Sequence, residues 1–257
     1  MNEIDFIIGL HSIYHALKNP KRLNKKIITT EDGLAQLQKK YPDTHQLLKS
    51  IPVEKLATDK FQSVTDQMFL KAGHKVRRIT SGMLLTAEAI DELDVNFLYD
   101  YVIDKDNLKI LCLDQVTDIQ NAAGIYRTAA FYNVDIIILP KRGSFAFNPG
   151  FYRISSGAVE HIMTVRCSNF IKMVNKLQEL DVHVIGLTEH AEQAIDSQAI
   201  RALKGNKCLI LGAEETGISH ALLRVIKNQL ALPTTSQIQS LNVSVAAALA
   251  LEKSFGS

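Results

Sequence analysis

From residue 108 onward the sequence repeats one pattern, in which a short apolar run is followed by a longer amphipathic one. The apolar runs occupy five short segments: residues 110–113, 134–139, 182–187, 207–211 and 230–232. Helical periodicity fills most of the intervals, at residues 122–132, 169–180, 219–226 and 241–255. Strands that alternate with helices in this way favour βαβ units and a parallel sheet buried on both faces. The sequence therefore predicts an α/β fold for this part, with ligands bound beyond the carboxyl ends of its strands.

The first 78 residues show shorter helical and strand-like segments, which we interpret as a separate small α/β domain. Residues 9–20 predict an amphipathic helix that ends at Asn19 and Pro20. Residues 79–108 carry weaker signals and an acidic run, so they are interpreted as a linker. The predicted organisation is thus a first domain at residues 1–78, a linker at 79–108 and a second domain at 109–257.

Charge is divided unevenly between these parts, although the whole chain of 257 residues carries a formal net charge of only +2. Residues 1–80 hold 14 Lys and Arg against 8 Asp and Glu, whereas the remainder is mildly acidic. A basic first part indicates a partner with phosphate groups. A lysine-rich surface that contacts only water explains the same numbers equally well.

Several classes of protein are disfavoured by what the sequence lacks. No apolar run reaches the roughly 18 residues that a membrane span needs, and the N-terminus does not resemble a signal peptide. Three scattered cysteines favour reduced thiols in a cytoplasmic protein. His11 and His15 are spaced as a metal-binding pair, but a third ligand is missing, so no metal is expected.

Polar side chains follow three of the predicted strands. Asn121 and Arg127 lie six residues apart after the first strand, and Glu214 lies between two glycines after the fourth. Ser240 and Asn242 stand where a polar loop meets the last helix, a position that favours capping side chains. The planar guanidinium of Arg127 suits a phosphate or carboxylate. Each feature also has a simpler explanation: a surface arginine, a glycine-rich turn with solvated glutamates, or an ordinary helix cap.

Taken together, three stretches resemble the three motifs of the SpoU (TrmH) branch of the SPOUT RNA methyltransferases. They are residues 114–129, 211–217 and 232–248, and their order and spacing carry the resemblance. Residues 8–19 also resemble the start of the family's ribosomal-protein-like RNA-binding module. The resemblance implies a parallel-sheet catalytic domain with a C-terminal trefoil knot, two of which pair as a homodimer.

The activity implied is transfer of a methyl group from S-adenosylmethionine to a ribose 2′-hydroxyl of RNA, with a guanosine of 23S ribosomal RNA as the favoured target. Arg127 is then the residue that activates the hydroxyl. The resemblance implies that four further side chains hold Arg127 and the substrate: Asn121, Glu214, Ser240 and Asn242. It assigns donor binding mainly to backbone groups at four positions: Thr188, Gly212, Leu232 and Leu241.

The sequence departs from the family pattern at three positions. Ile119 stands where relatives often have proline, and Thr234 and Ser236 stand where they often have methionine and glycine. The serine matters most, because glycine commonly serves a turn that other residues disfavour. Two alternatives stay open beside ribosomal RNA methylation: a tRNA 2′-O-methyltransferase, and a non-catalytic RNA-binding or ribosome-assembly factor with the same fold.

Overall fold

A computed structural model describes residues 3–76, 78–234 and 241–256 of the chain. The chain divides into two compact units, and each contains two segments of the sequence. The first unit comprises Met1–Ile90 together with Ala146–Glu160, and the second comprises Asp91–Phe145 together with His161–Ser257. Both are α/β, as the sequence predicts.

The first unit is built on a four-stranded sheet with the order β1-β4-β2-β3. Its strands are β1 (Ile4–Ile8), β2 (Lys26–Thr29), β3 (Val53–Lys55) and β4 (Met83–Glu88). Its helices are α1 (Leu10–Lys18), α2 (Glu31–Lys40), α3 (Thr44–Leu47), α4 (Thr58–Lys71) and α7 (Pro149–Ser155), with single 3-10 turns at Leu48–Ser50 and Ala158–Glu160. β4 lies antiparallel between β1 and β2, whereas β2 and β3 are parallel.

A buried ion-pair network ties the 146–160 segment into this unit. The Arg22 guanidinium, fully buried, donates to Glu160 at 2.9 Å, to Asp5, and to the Glu88 carbonyl at 2.9 Å. Burial by itself lowers the pKa of Arg22, but the hydrogen bond and charge of Glu160, aided by Asp5, raise it above its ordinary value. Because removing one partner of such a network leaves an unpaired buried charge, these contacts fix the segment.

The second unit is built on a six-stranded parallel sheet with the order β10-β8-β9-β5-β6-β7. Its strands are β5 (Lys109–Leu113), β6 (Ile136–Pro140), β7 (Met163–Cys167), β8 (His183–Leu187), β9 (Lys207–Leu211) and β10 (Asn228–Leu230). Its helices are α5 (Val95–Asp104), α6 (Ile119–Phe131), α8 (Phe170–Glu179), α9 (Ser197–Ala202), α10 (His220–Leu223) and α11 (Val243–Phe255).

The central strands β5, β6 and β9 are almost entirely buried, as expected of a sheet covered on both faces. All six strands run in the same direction, so their carboxyl ends share one edge. The segments that begin at Asp114, Thr188, Gly212 and Ala231 leave the sheet at that edge. The fold thereby gathers the polar loops that the sequence singled out.

The boundary between the units differs from the one that the sequence predicts. Residues 79–108, expected as a linker, contain β4, which pairs with two strands of the first unit, and α5, which packs on β7 and α8 in the second. Residues 146–160 return to the first unit, although they were expected inside the catalytic domain. For β4 the difference arises from pairing with strands far away in the sequence, and for residues 146–160 from buried contacts such as Glu160 with Arg22, neither of which leaves a local signal.

The strand β7 was not predicted, because Thr164 and Arg166 interrupt its apolar pattern. The predicted trefoil knot depends on the path of residues 235–240, which lie outside the described residues, so the knot stays a prediction. Within the described ranges, no helix is both long and apolar enough to cross a membrane.

Candidate active site

Three polar side chains from three separate stretches meet at the carboxyl edge of the second unit's sheet. The first is Asn121, in the opening turn of α6, where the Asp118 carboxylate caps the helix by accepting from the Asn121 N–H at 2.8 Å. The Asn121 side-chain amide donates to Glu214 Oε2 at 2.9 Å. The cap therefore fixes the residue that reaches across to the second stretch.

Glu214 is held at the tip of a short loop after β9. Two backbone hydrogen bonds between Ala213 and Gly217, of 3.1 and 2.9 Å, close that loop. Gly212 precedes it, and a Cβ placed there would lie 1.9 Å from the backbone carbon of Gly217. Only glycine permits this approach of two backbone segments, so the sequence here fixes where the carboxylate stands.

Asn242 completes the group as the N-cap of α11. Its side-chain oxygen accepts from the Ser244 N–H at 3.0 Å and from the Ser244 hydroxyl at 2.6 Å. Its side-chain amide donates to Asn121 Oδ1 at 3.0 Å and to Glu214 Oε1 at 3.2 Å. Both carboxylate oxygens of Glu214 thus accept from an amide, and we call these three residues the Asn121–Glu214–Asn242 network.

A cleft of about 450 Å³ opens beside this network, a size within the range of small-molecule sites. Its walls are formed by the ends of β8 and β9, the loop with Glu214, and the start of α11. Its apolar lining consists of Leu187, Leu211, Ala213, Ile218, Leu223, Leu232, Pro233, Leu241, Val243 and Ala246. Three carboxylates supply negative charge at the cleft: Glu189, Glu214 and Glu215. An apolar cleft with a negative rim suits a ligand that combines an aromatic ring with a positive centre.

The four positions predicted to bind the methyl donor all line this cleft: Thr188, Gly212, Leu232 and Leu241. At Thr188 the backbone offers less than expected, because its N–H donates to the Leu230 carbonyl at 3.0 Å and its carbonyl accepts from Ala191 at 3.3 Å. A ligand there meets the second lone pair of that carbonyl and the hydroxyl, which also accepts from the His190 N–H at 3.3 Å.

Among the side chains predicted to be catalytic, three come together, one lies apart and one is not described. Asn121, Glu214 and Asn242 form the network, whereas Ser240 lies outside the described residues. Arg127 lies nearly two turns further along α6, about 9 Å from Asn121 along the helix axis. It is exposed, and it has no hydrogen-bonding or ion-pair partner within residues 3–76, 78–234 and 241–256. The described residues occupy none of its five N–H donors, so these donors can bind a ligand.

Sequence reasoning missed the residues that support the site rather than line it. Asp114, nearly buried, accepts from the Ser219 N–H at 2.9 Å and so joins the end of β5 to the segment after the Glu214 loop. Asp118 and Ser244 orient Asn121 and Asn242. Asp118 stands immediately before α6, which is a capping signal that the sequence offered. The described residues contain no group of three or more His, Cys, Asp or Glu side chains able to hold a metal ion.

Comparison with known proteins shows the family to which the chain belongs. A family model described as the SpoU rRNA methylase family matches residues 109–252, which is more than half of the chain and confirms the resemblance drawn from the motifs. Similar sequences include proteins assigned to the TrmH family of tRNA/rRNA methyltransferases. One, from Staphylococcus aureus strain MSSA476, is 26% identical over 250 residues, covering 97% of this chain and 94% of the relative. Another, YacO of Bacillus subtilis strain 168, is 26% identical over 254 residues, covering 95% and 92%.

The fold is also shared with solved structures. AviRb of Streptomyces viridochromogenes, a SpoU methyltransferase whose structure was solved with its cofactor AdoMet, superposes with a TM-score of 0.74 at 15% identity. The match covers 98% of this chain and 89% of AviRb. A likeness at this identity shows a common fold, and it confirms the predicted α/β architecture.

Proposed function

We propose that this chain, which belongs to the SpoU rRNA methylase family, transfers the methyl group of S-adenosylmethionine to a ribose 2′-hydroxyl of RNA. The observation that carries the proposal is the Asn121–Glu214–Asn242 network, in which three distant motifs meet at the wall of one cleft. The cleft suits the donor, since its apolar walls accept the adenine ring and its carboxylates favour the positive sulfonium.

The reaction needs little chemistry from the protein beyond alignment. The ribose oxygen attacks the methyl carbon as the carbon–sulfur bond breaks, and the hydroxyl proton leaves to water or to the flanking phosphate. The donor supplies the electrophilic methyl group and leaves as the neutral thioether. A hydroxyl is a weak nucleophile at neutral pH, so holding it in line with the methyl group supplies much of the acceleration.

Arg127 is the residue that we assign to the hydroxyl. A guanidinium stays protonated in proteins, so Arg127 acts by donating hydrogen bonds to the developing oxyanion and the adjacent phosphate, and it does not remove the proton. Arg127→Ala is expected to abolish methyl transfer while the Kd for S-adenosylmethionine stays within about twofold of the wild-type value. Arg127→Lys, which keeps the charge but loses the fork, is expected to retain little activity. Normal turnover in either variant contradicts this assignment.

We further infer that the active form is a homodimer. Three exposed side chains recur every fourth residue and therefore share one face: Leu241, just before α11, and Val245 and Leu249 within it. α6, which packs against α11, exposes Phe131 one turn after Arg127. A partner that covers these side chains removes a stripe of apolar surface from water. Sedimentation equilibrium should give twice the chain mass of 28.6 kDa, and a concentration-independent monomer would refute the inference.

As substrate we propose ribosomal RNA, because the basic first 80 residues favour a large RNA with many phosphates. The more specific target, a guanosine of 23S rRNA, rests on the family resemblance. Isothermal calorimetry with S-adenosylmethionine tests the enzyme proposal as a whole. Binding at micromolar to submillimolar donor is expected, whereas no binding at millimolar donor would leave a non-catalytic RNA-binding factor. Incubation with ribosomal RNA and with tRNA then decides between the two substrates, and methylation of tRNA alone would overturn the ribosomal assignment.

A further inference from the structure

The first unit carries an exposed group of aromatic and basic side chains that the proposed chemistry does not use. Tyr14 of α1 and Tyr41, just after α2, stack with ring centroids 3.8 Å apart and an interplanar angle of 5°. Lys18 lies over the Tyr14 ring with its Nζ 5.2 Å from the centroid, and Lys40 lies over the Tyr41 ring at 5.9 Å. His11 approaches Tyr41 edge-on at 5.8 Å. We call these five residues the Tyr14–Tyr41 cluster.

The order of the cluster follows from its distances. The two tyrosine rings are too close to admit anything between them, so a ligand can reach the pair only from its outer sides. Lys18 Nζ lies 3.2 Å from the Tyr14 hydroxyl, at the edge of that ring. Both tyrosines are half-buried, and the lysines are exposed. Each tyrosine is therefore fixed by its neighbour while part of its ring surface faces water.

Hydrogen bonds orient the cluster and leave donors available. Lys40 Nζ lies 2.9 Å from His11 Nε2, and Tyr41 Oη contacts His11 Nδ1. Because an ammonium only donates, Nε2 must accept, so Nδ1 carries the proton and donates to Tyr41. The Tyr41 hydroxyl proton is then free to meet an acceptor on a ligand. On the other side, Lys18 Nζ donates to the Tyr14 hydroxyl at 3.2 Å, and this bond raises the pKa of Lys18.

One acidic group stands against the cluster. Asp43 Oδ2 accepts from the Tyr14 hydroxyl at 3.0 Å and lies 3.6 Å from Lys18 Nζ. Its charge repels phosphate and competes for Lys18. Asp43 therefore weakens the binding of a polyanion at the cluster, and removal of its charge should strengthen that binding.

We propose that the Tyr14–Tyr41 cluster binds an unpaired segment of RNA, with a base stacked on an outer tyrosine face and the lysines on adjacent phosphates. This inference rests on the proposed function in taking RNA as the substrate. Stacking of a base on an aromatic side chain is stronger than an exposed cation–π contact, so an arriving base displaces a flexible lysine from the ring. The displaced ammonium is then free to swing to the phosphate beside that base. A preassembled aromatic stack also avoids the entropy of ordering two side chains on binding.

Fluorescence anisotropy with a labelled single-stranded RNA, measured over a range of salt, tests the lysines. Each phosphate contact in a single strand contributes about 0.7 to the slope of log K against log salt. The double variant Lys18→Gln/Lys40→Gln is expected to bind more weakly and to reduce the magnitude of that slope by about 1.4. Asp43→Asn should do the opposite and tighten binding. Exposed Lys55, which pairs with Glu31, gives the control Lys55→Gln, expected to match the wild type.

The stacking is tested with 2-aminopurine in the RNA, since its fluorescence is quenched when it stacks. Quenching is expected with the wild type and its loss with Tyr41→Leu, accompanied by a roughly 5- to 100-fold fall in affinity. Circular dichroism of each variant verifies folding. Unchanged affinity and slope in the double lysine variant would overturn the proposal and assign the cluster to a different contact, such as a protein. Calorimetry with S-adenosylmethionine separates the two failures: RNA binding without donor binding sinks the proposed enzyme, not the cluster.

Discussion

Two substitutions exchange the hydrogen-bond donor and acceptor between positions 121 and 214 while keeping the shape of the Asn121–Glu214–Asn242 network. In the wild type both oxygens of Glu214 accept, from Asn121 at 2.9 Å and from Asn242 at 3.2 Å. Glu214→Gln turns the oxygen facing Asn121 into an amide, so two N–H donors oppose each other. Asn121→Asp alone brings two carboxylates together. In the double variant the amide introduced at position 214 donates to the carboxylate introduced at position 121, and Asn242 still finds both acceptors.

The expected change in the free energy of unfolding follows from the number of hydrogen bonds that each variant breaks. Glu214→Gln loses one hydrogen bond to a charged group, which is worth about 1.5–3 kcal/mol when buried. Glu214 is exposed, so water replaces part of that bond and we expect a loss of about 1 kcal/mol in the free energy of unfolding. Asn121→Asp is expected to cost a similar amount through repulsion between carboxylates. The double variant should lie within about 0.5 kcal/mol of the wild type, so the coupling energy is about 1–2 kcal/mol.

Urea denaturation of the four proteins measures this coupling, and calorimetry with S-adenosylmethionine reports whether the cleft follows the network. Donor affinity should fall in both single variants and recover in the double variant, because the Glu214 loop lines the cleft. Asn121→Asp also places an acid in the first turn of α6, where the helix dipole favours it slightly. Strictly additive losses, with a coupling energy near zero, would show that the three residues do not act as one unit.

Two further variants test the close backbone contact at Gly212 and the buried ion pair of Glu160. Gly212→Ala should prevent closure of the 213–217 loop and abolish donor binding, because its Cβ would lie 1.9 Å from the Gly217 backbone. Gly124→Ala is the control, since its Cβ would meet only an ordinary contact at 3.6 Å. This control should retain donor binding in the same calorimetric titration. Glu160→Gln should lower the free energy of unfolding by about 3 kcal/mol in urea, since it breaks a buried pair with Arg22, and an effect as small as that of exposed Glu31→Gln would contradict this.

The sequence predicts the second unit well because its signals are local. The buried strands β5 and β9 and the long helices α6, α8 and α11 show apolar runs and helical periods within a few residues of their true limits. The edge strand β7 escapes this reasoning, since its half-covered pattern includes Thr164 and Arg166. Likewise β4 is defined by antiparallel pairing with residues 54 to 84 positions away, which no local pattern reveals.

For the site, the residue types and their order predict which motifs matter, but not how they touch. Asn121 and Asn242 can both donate to Glu214 because the sheet places β5 beside β9 and because α11 packs against α6. The role of Gly212 is visible only once the backbone of Gly217 is seen to cross it. The role of Arg127 is implied by the family resemblance, and the described part of the chain leaves its side chain exposed and without a partner.

Isotope transfer to ribosomal RNA shows whether the chain methylates a ribose hydroxyl. Ribosomal RNA from cells lacking the protein is incubated with the purified chain and isotope-labelled S-adenosylmethionine, then digested to nucleosides and analysed by mass spectrometry. The label is expected on the ribose of a single nucleoside, predicted to be guanosine, and absent when Arg127→Ala replaces the wild type. Label on a base, or none in any RNA with the wild-type protein, would contradict methyl transfer to a ribose hydroxyl by this chain.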